Sequence, residues 1–380
     1  MIYLDFAAST PVDGRVLDRM REVAGMNCAN PSSTHAAGRE AQAIIARAAG
    51  QLGTLLNVEP GTLVWTSGAT ESDNLAIAGA AKYRAHRGKH LVTMRTEHKA
   101  VTDVFEMLAK NGFEVSWVEP DSNGFLNPGE FAAALRDDTQ LASIMFVNNE
   151  TGVIQDIEAL GTICRDRDIL FHVDGAQAVG KLPIDLNALP VDLLSRTGHK
   201  FYGPKGIGAL YIADRPGCHV EPILFGGGQQ RRIRPGTLPT DLIAGLGMAA
   251  EVASATVESD LRHLRARRLE LWDGIRDIEG ITLNGDPDGF PVDAVLAVPA
   301  DRKSAILLRG RYEEEGTAVQ MLVPSDVVNE ILETMFSVRN YVILGSIAVG
   351  VATLVTAALV FVLSIRLRRR EIETIRKIGG

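Results

Sequence analysis

Cysteine is scarce in this sequence. The only three, Cys28, Cys164 and Cys218, lie far apart among 380 residues, and none belongs to a C-x-x-C pair. An odd, widely spaced set argues against a disulfide framework and indicates a reducing compartment, because disulfide scaffolds carry even, regularly spaced cysteines. The same scarcity argues against a zinc or iron–sulfur site, so we predict no metal centre in this chain.

Basic residues are fewer than acidic residues. Lysine and arginine number 39 against 47 aspartates and glutamates, which gives a formal net charge of -8. Nucleic acid is therefore not expected as the main partner, since phosphate backbones bind basic surfaces. The first residues lack the basic and apolar regions of a secretory signal peptide, so we expect the body of the protein to lie in the cytoplasm.

Hydrophobic residues, in contrast, make up 46% of the chain, which is enough for a sizeable core. Helical periodicity and short apolar runs alternate from about residue 37 to 212. The predicted helices cover residues 37–56, 70–87, 98–111, 128–136, 156–167 and 242–276. The predicted strands cover residues 63–66, 90–93, 114–118, 141–147, 170–173, 191–195 and 208–212. This alternation predicts an α/β fold with a mostly parallel seven-stranded sheet, covered by helices on both faces.

The last part of the sequence has a different character. Residues 324–340 have the pattern of an amphipathic helix, and residues 341–365 form an uncharged, mostly apolar run. As a helix, this run would be roughly 37 Å long, which is enough to cross a bilayer. Arginines follow directly in residues 366–370, so we predict a transmembrane helix over 341–365 and a basic tail over 366–380.

Ligands of parallel sheets bind beyond the carboxyl ends of the strands, so the residues at those ends are the candidates for a site. The turn 67–70 opens a helix whose free N–H groups suit a phosphate, although such turns also connect strands to helices without binding anything. His98 follows the second strand and could stack on a flat ring or be structural. Asn148 and Asn149 follow the fourth strand and could bind a phenolic oxygen or form a turn.

Two further strand ends carry more specific chemistry. Asp174 follows strand 170–173, where a carboxylate can pair with a protonated pyridine nitrogen and make the ring an electron sink. A buried aspartate without a cationic partner is costly, which favours a functional role. Lys200 follows the next strand, where desolvation would lower its pKa and leave the amine free to attack a carbonyl. Lys205 is the alternative, but its loop of glycine and proline is typical of a structural turn.

Taken together and in this order, these stretches resemble the NifS/IscS-type cysteine desulfurases, class V of the fold-type I enzymes that use pyridoxal 5'-phosphate (PLP). The resemblance covers residues 1 to about 290. It is carried by residues 3–11, 30–33, 66–72, 96–100, 147–150, 172–177, 198–200 and 234–237. It implies an enzyme that converts L-cysteine, or a similar amino acid, to L-alanine and passes persulfide sulfur to a scaffold protein, as in iron–sulfur cluster assembly.

The resemblance also implies roles for individual residues. Lys200 is expected to bind PLP through a Schiff base, His98 to stack on the ring and transfer protons, and Asp174 to pair with the ring nitrogen. Asn149 and Gln177 are expected to contact the ring substituents. The residues expected at the phosphate are Ala69, Thr70, Thr197 and His199. Thr237 is expected to reach the phosphate of a neighbouring subunit, which implies a homodimer.

The resemblance stops before the residues that perform sulfur transfer. Members of the family continue into a mobile loop with a nucleophilic cysteine and an arginine that binds the substrate carboxylate. Neither motif follows Pro291 here, and no cysteine follows Cys218. We therefore expect PLP binding but weak or absent desulfurase turnover, with Cys28 the only cysteine near a matching stretch. A class V lyase or aminotransferase that needs no cysteine is the alternative.

Residues from about 293 to 380 resemble a fragment of an FtsX/MacB-type ABC-transporter permease instead. The apolar run and the charged stretch 366–379 carry this second resemblance. It implies four parts: an enzyme-like domain at 1–292 with an incomplete small domain, a permease-like segment at 293–340, the membrane helix and the basic tail. A chimera of two reading frames is the simplest explanation, and a non-catalytic, membrane-anchored fusion is the third hypothesis.

Overall fold

The computed structural model describes residues 3, 5–26 and 29–277, and seven isolated positions between 356 and 376. Cys28 and the predicted segment 293–340 lie outside the described residues. The predicted membrane run is represented only by Thr356, Leu359, Val360 and Val362, which are helical. Within the portion described, no helix combines the length and the apolar character needed to cross a membrane.

Helices and strands alternate along the described chain. The helices are α1 (Gly14–Met26), α2 (Ala36–Leu56), α3 (Ala69–Tyr83), α4 (Lys99–Lys110), α5 (Pro128–Ala134), α6 (Ile157–Asp166) and α7 (Thr240–Ile275). The strands are β1 (Leu63–Thr66), β2 (His90–Met94), β3 (Glu114–Val118), β4 (Thr139–Met145), β5 (Leu170–Asp174), β6 (Leu193–Thr197) and β7 (Gly208–Ile212).

The seven strands form one sheet in the order β1-β7-β6-β5-β4-β2-β3. Strand β7 runs antiparallel to both of its neighbours, and the other neighbouring pairs are parallel. Every residue of β4, β5 and β6 is buried, as expected for strands covered on both faces. The predicted fold class, an α/β fold with a mostly parallel seven-stranded sheet, is confirmed.

Two apolar layers hold the helices against the sheet. On one face, α2, α6 and α7 bury Ile45, Leu160 and Leu246 against it. On the other face, α3 and α4 bury Ile77 and Phe105. Because both faces of the inner strands β4, β5 and β6 are covered, their polar groups can reach solvent or a ligand only at the strand ends.

The sequence prediction differs from the structure at several elements; helix α3, for example, ends at Tyr83, four residues before its predicted end. Helix α1 was not predicted, because only Val16 and Val23 are buried in it and five of its 13 residues are charged. The fourth strand begins and ends two residues earlier than predicted, since the polar residues Thr139 and Gln140 lie inside it. Gln140 is accommodated because its amide donates to the carbonyl of Ala81 at 3.2 Å. The sixth strand lies two residues later than predicted, at Leu193–Thr197.

The N-terminal segment packs against the loop that follows β6. The Thr10 N–H donates to the His199 carbonyl at 2.8 Å, and the Asp13 N–H donates to the Tyr202 carbonyl at 3.0 Å. The Tyr202 N–H donates in return to the Thr10 hydroxyl at 2.7 Å. These bonds fix residues from the start of the chain beside the carboxyl ends of β5 and β6.

Candidate active site

A cavity of about 810 Å³ opens at the carboxyl ends of the strands, where Met145, Asp174 and Thr197 are the last residues of β4, β5 and β6. Nine of the ten predicted site residues line it. They are Ala69, Thr70, His98, Asn149, Asp174, Gln177, Thr197, His199 and Lys200. Thr237 is not part of this lining. Lys205, the alternative lysine, also lines the cavity, so the lining alone does not choose between the two lysines.

The turn between β1 and α3 is fixed by hydroxyl groups. The Thr66 hydroxyl lies 2.7 Å from the Ser72 hydroxyl and donates to the Gly68 carbonyl at 3.1 Å. Gly68 occupies the N-cap position, and no side chain caps the helix there. The first N–H groups of α3 therefore remain available, beside the cavity, to an anion such as a phosphate.

His98 occupies the N-cap position of α4. Its Nδ1 accepts a hydrogen bond from the Ala100 N–H at 3.1 Å. A neutral imidazole that accepts at Nδ1 carries its proton on Nε2, so Nε2 is the atom that can act on a ligand. His98 lies in the loop between β2 and α4, and it lines the cavity because β2 ends at the same edge of the sheet as its neighbour β4.

Asp174 is a buried carboxylate at the end of β5. Its one hydrogen bond among the described residues comes from the Ala176 N–H, at 2.9 Å. Burial raises the pKa of Asp174 above its ordinary value, and the charges of His98 and Lys200 oppose that rise. The protein's own charges offset the cost of burying the ionised carboxylate only in part. A positively charged N–H in the cavity would stabilise that ionised form further.

Lys200 lies in the loop after β6, and its amine donates to the Ala7 carbonyl. Burial lowers the pKa of Lys200, and the positive charge of Lys181 lowers it further, whereas Asp174 and Asp5 act in the opposite direction. A lower pKa increases the fraction of neutral amine, which is the form that attacks a carbonyl carbon.

The two adjacent carboxamides after β4 have different roles. Asn148 organises the turn: its Oδ1 accepts from the Glu150 and Thr151 N–H groups at 2.9 and 2.8 Å, and its amide donates to the Thr96 carbonyl at 2.8 Å. Asn149 lines the cavity instead. The turn interpretation is therefore confirmed for Asn148, whereas ligand binding by Asn149 stays a prediction.

Several residues that line the cavity had no role predicted from the sequence. Asp5, Ala7, Ala8 and Ser9 come from the N-terminal segment. The stretch 3–11 was one of the matching stretches, so a signal existed, but its packing against Lys200 depends on contacts about 190 residues apart in the chain.

A buried polar cluster beside Asp174 was also not predicted. The His172 ring nitrogens lie 2.8 and 2.9 Å from the hydroxyls of Ser143 and Ser195. Burial lowers the pKa of His172 to about 3, so its imidazole is neutral. Burial raises the pKa of Asp73 and of Glu97 well above the ordinary values, and the charge of Asp174 acts in the same direction.

The described cysteines lie away from the cavity. Burial raises the pKa of the Cys164 thiol, and burial raises the pKa of Cys218 to about 12. Neither thiol belongs to the lining, and neither is disposed to form a thiolate. Cys28 lies outside the described residues.

The donor set of the cavity fits PLP. A protonated pyridine nitrogen would stabilise the ionised form of buried Asp174, and the uncapped start of α3 suits a phosphate. Lys200 offers an amine with a lowered pKa for the aldehyde. These three requirements meet in one cavity, which no single sequence motif establishes.

Similar proteins agree with this geometry. Residues 2–321 match the family model described as aminotransferase class-V. The cysteine desulfurase IscS of Vibrio vulnificus (strain YJ016) is 51% identical over 290 residues, which are 76% of this chain and 72% of the relative.

Solved structures agree as well. A structure named NifS-like protein superposes with a TM-score of 0.73 at 35% identity, covering 77% of this chain and 80% of its own. A structure described as SspA in complex with cysteine gives a TM-score of 0.73 at 34% identity, covering 87% and 92%. The chain belongs to the class V aminotransferase family and, within it, to the PLP-dependent cysteine desulfurases.

Proposed function

We propose that this chain binds PLP covalently at Lys200 and acts on L-cysteine or a similar amino acid. The observation that carries the proposal is the meeting of a partly desolvated lysine, Lys200, and a buried carboxylate, Asp174, in one cavity. Lysines and aspartates are common, but a lysine with a lowered pKa and a buried aspartate with a raised pKa on one cavity suit this chemistry.

Each residue would contribute a separate task. The bound cofactor supplies an electron sink for an amino-acid substrate. Asp174 would hold the proton of the ring nitrogen, and Lys200 would anchor the cofactor and later receive a proton at Nζ. His98 would move a proton at Nε2, since its Nδ1 is occupied by the Ala100 N–H. Asn149 and Gln177 would orient the ring substituents.

The phosphate would bind at the start of α3. The residues proposed there are Ala69, Thr70, Thr197 and His199, all of which line the cavity. Thr237 does not belong to this lining, which suits the proposal that it serves the cavity of a second subunit in a homodimer. We also propose a scaffold protein as the partner that accepts sulfur from this enzyme.

Sulfur transfer is the step for which this chain is poorly equipped. A thiolate must attack the sulfur of the substrate, and neither the buried Cys164 nor the partly buried Cys218 lines the cavity. We therefore propose that cofactor binding is retained, whereas the release of sulfur from cysteine is impaired.

The first experiment tests cofactor binding. The full chain, purified after incubation with PLP, should be yellow, and borohydride reduction should attach the cofactor irreversibly to the peptide containing Lys200. Lys200→Ala should be colourless, while Lys205→Ala, the matched lysine in the same loop, should remain yellow. A colourless wild-type protein, or label on Lys205, would refute the proposed site.

The second experiment tests turnover. Alanine and sulfide are measured after cysteine and a reducing agent are added to the PLP-bound protein. We expect little or no sulfide, and rapid sulfide release would refute the proposed impairment. Turnover of cysteine or selenocysteine that survives Cys28→Ala would favour the alternative, a class V lyase or aminotransferase that uses no cysteine nucleophile.

We also propose that residues 293–380 are a permease-like fragment joined to the enzyme-like domain 1–292. In this proposal, 293–340 is a permease-like segment, 341–365 a membrane helix and 366–380 a basic tail. Support comes from Leu359, Val360 and Val362, which are helical and at least 52% exposed although they are apolar. Exposed apolar side chains on a helix suit a lipid environment.

The location of the chain tests this part of the proposal. Full-length protein should sediment with membranes, whereas a chain ending at residue 340 should remain in the cytoplasmic fraction. Recovery of both in the cytoplasmic fraction would argue against the membrane helix. Resequencing across residue 292 separates a natural fusion from an artefact of assembly. A non-catalytic, membrane-anchored fusion would sediment with membranes and turn over neither cysteine nor selenocysteine.

A further inference from the structure

A short chain of polar contacts connects Lys181 to Lys200. The Lys181 amine donates to Oε1 of Gln177 at 3.0 Å. Nε2 of Gln177 donates to the Ala7 carbonyl at 2.8 Å, and the Lys200 amine donates to that same carbonyl. Two lysines are thus linked through one carboxamide and one backbone carbonyl, on the wall of the cavity.

Lys181 determines the orientation of the Gln177 amide. An amide group offers an acceptor at one end and donors at the other, and only one orientation satisfies both of its neighbours. With the Lys181 ammonium at Oε1, the NH₂ group must point to Ala7, as observed. If Lys181 were absent, the amide could rotate and its NH₂ group would no longer be fixed at the carbonyl that binds Lys200.

The charge of Lys181 acts on Lys200 as well. A second ammonium near Lys200 disfavours the protonated amine, and burial acts in the same direction, so the pKa of Lys200 is lowered. The opposing groups come from two other elements, Asp174 at the end of β5 and Asp5 in the N-terminal segment. The other titratable groups that line the cavity are His98, Glu71, His199 and Lys205.

We propose that Lys181 is a positioning residue for cofactor attachment: it fixes the Gln177–Ala7 contact and, by its charge, favours the neutral amine of Lys200. This inference rests on the proposed role of Lys200. In the attachment reaction the neutral amine attacks the aldehyde carbon, a carbon–nitrogen double bond forms, and the carbonyl oxygen leaves as water. No oxidant or reductant takes part, and the ammonium must lose its proton before the attack.

The rate at which PLP attaches to the full-length protein, measured as a function of pH, tests the proposal. The cofactor is first removed and then added back, and the growth of the visible absorption band is followed by stopped flow. Lys181→Met removes both the charge and the hydrogen bond. It should slow attachment near neutral pH by roughly three- to tenfold and displace the midpoint of the pH profile to higher pH.

The shape of the profile separates the charge from a structural effect. Loss of the charge alone makes the two rates converge at high pH, where Lys200 is neutral in both proteins. Loss of positioning alone lowers the rate by the same factor at every pH and leaves the midpoint unchanged. Lys181→Arg, which keeps the charge and the donors, should restore the midpoint. Lys110→Met, which removes an exposed charge at the end of α4, is the matched control.

Each outcome bears on the proposal. A midpoint that rises in Lys181→Met, returns in Lys181→Arg and is unchanged in Lys110→Met supports it. An unchanged midpoint in Lys181→Met refutes the electrostatic part, and an unchanged rate at high pH refutes the positioning part. If wild-type protein forms no visible band, the proposed function itself fails, which is a result distinct from failure of the role of Lys181.

Discussion

Oδ1 of Asp73 lies 3.6 Å from Nε2 of His172, and both side chains are fully buried beneath the cavity. Neither carboxylate oxygen of Asp73 has a hydrogen-bond partner in the part of the chain that the structure describes. Burial, with the neighbouring charge of Asp174, raises the pKa of Asp73 well above its ordinary value. This shift favours the neutral form of Asp73, which lies beside a neutral imidazole and would then add no further charge next to Asp174.

This protonation state predicts how Asp73→Asn changes stability with pH. The folded protein retains a proton that the unfolded chain loses near the ordinary pKa of about 3.9, so Asp73 lowers the free energy of unfolding as pH rises. Relative to wild type, Asp73→Asn should thus gain stability between about pH 5 and about pH 8. Urea unfolding at both pH values measures this gain. Asp137→Asn, at an exposed position, is the control, and an equal gain there would contradict the prediction.

Arg196 is a buried cation that reduces stability. It is only 1% exposed, and none of its three guanidinium nitrogens has a hydrogen-bond partner among the described residues. Its nearest compensation is the Phe201 ring, whose centroid lies 5.8 Å from Cζ. Arg196→Met should therefore raise the free energy of unfolding by about 1–4 kcal/mol, because an apolar side chain needs no counterion.

Arg84 provides the matched comparison for Arg196. It is 2% exposed, but its Nε donates to the Gly217 carbonyl at 3.1 Å and its Nη2 to Oδ1 of Asp168 at 3.1 Å. Arg84→Met should lower the free energy of unfolding by about 1–3 kcal/mol, since it leaves those acceptors without their donor. Urea unfolding of both variants measures these free energies. If the free energy of unfolding changed in the same direction in both, the prediction would be wrong.

The ion pair of Glu71 with Arg234 should support cofactor binding. Nε and Nη2 of Arg234 donate to the two Glu71 oxygens at 2.7 and 3.1 Å, and Glu71 also accepts from the Ser67 N–H at 2.7 Å. Burial alone would raise the pKa of Glu71, but the hydrogen bonds from Arg234 and Ser67 hold it below its ordinary value. The pair thus connects the turn before α3 with the segment that leads to Thr237.

Breaking this pair should weaken PLP binding. Glu71→Gln is expected to raise the Kd for PLP by roughly three- to tenfold, because a bidentate, charge-assisted contact is lost beside the phosphate turn. Absorbance titration measures the Kd. Glu22→Gln removes one partner of the exposed pair with Arg19 on α1 and should leave the Kd unchanged. Equal Kd values for Glu71→Gln and wild type would rule out the supporting role.

Gly208 permits a close approach of two backbones. A Cβ at this position would lie 2.7 Å from the Cα of Gly68 and would also clash with the Arg196 carbonyl. Gly208→Ala should therefore displace the phosphate turn, raise the Kd for PLP and lower the free energy of unfolding by about 1–3 kcal/mol.

Gly50→Ala is the control for Gly208→Ala. Gly50 lies inside α2, and a Cβ there meets no other atom within 4 Å. Alanine should stabilise that helix by roughly 0.5–1 kcal/mol, because glycine is the weaker helix former. Thermal unfolding and PLP titration of both variants measure the two stabilities and the two Kd values. The prediction for Gly208 would be wrong if Gly208→Ala bound PLP as tightly as wild type.

Much of the fold was readable from the sequence because its periodicity reports burial directly. The runs at 63–66, 114–118 and 208–212 correspond to β1, β3 and β7 without change of bounds. Strands β4 and β6 were displaced by two residues, since polar residues such as Thr139 and Arg196 lie inside them and interrupt the apolar pattern. Helix α1 was not predicted, since only two of its side chains are buried and five of its 13 residues are charged.

The sequence by itself determined the order of the strand-end residues, and hence nine of the residues that line the cavity. It did so because parallel strands bring their carboxyl ends to one edge. The tertiary structure alone decided what surrounds them: Ala7 against Lys200, Lys181 on Gln177, and Asp73 beside His172. Two of these contacts join residues far apart in the chain, and the third joins Lys181 to Gln177, four residues away. The energies of all three depend on burial and on distance, which no local pattern of residues records.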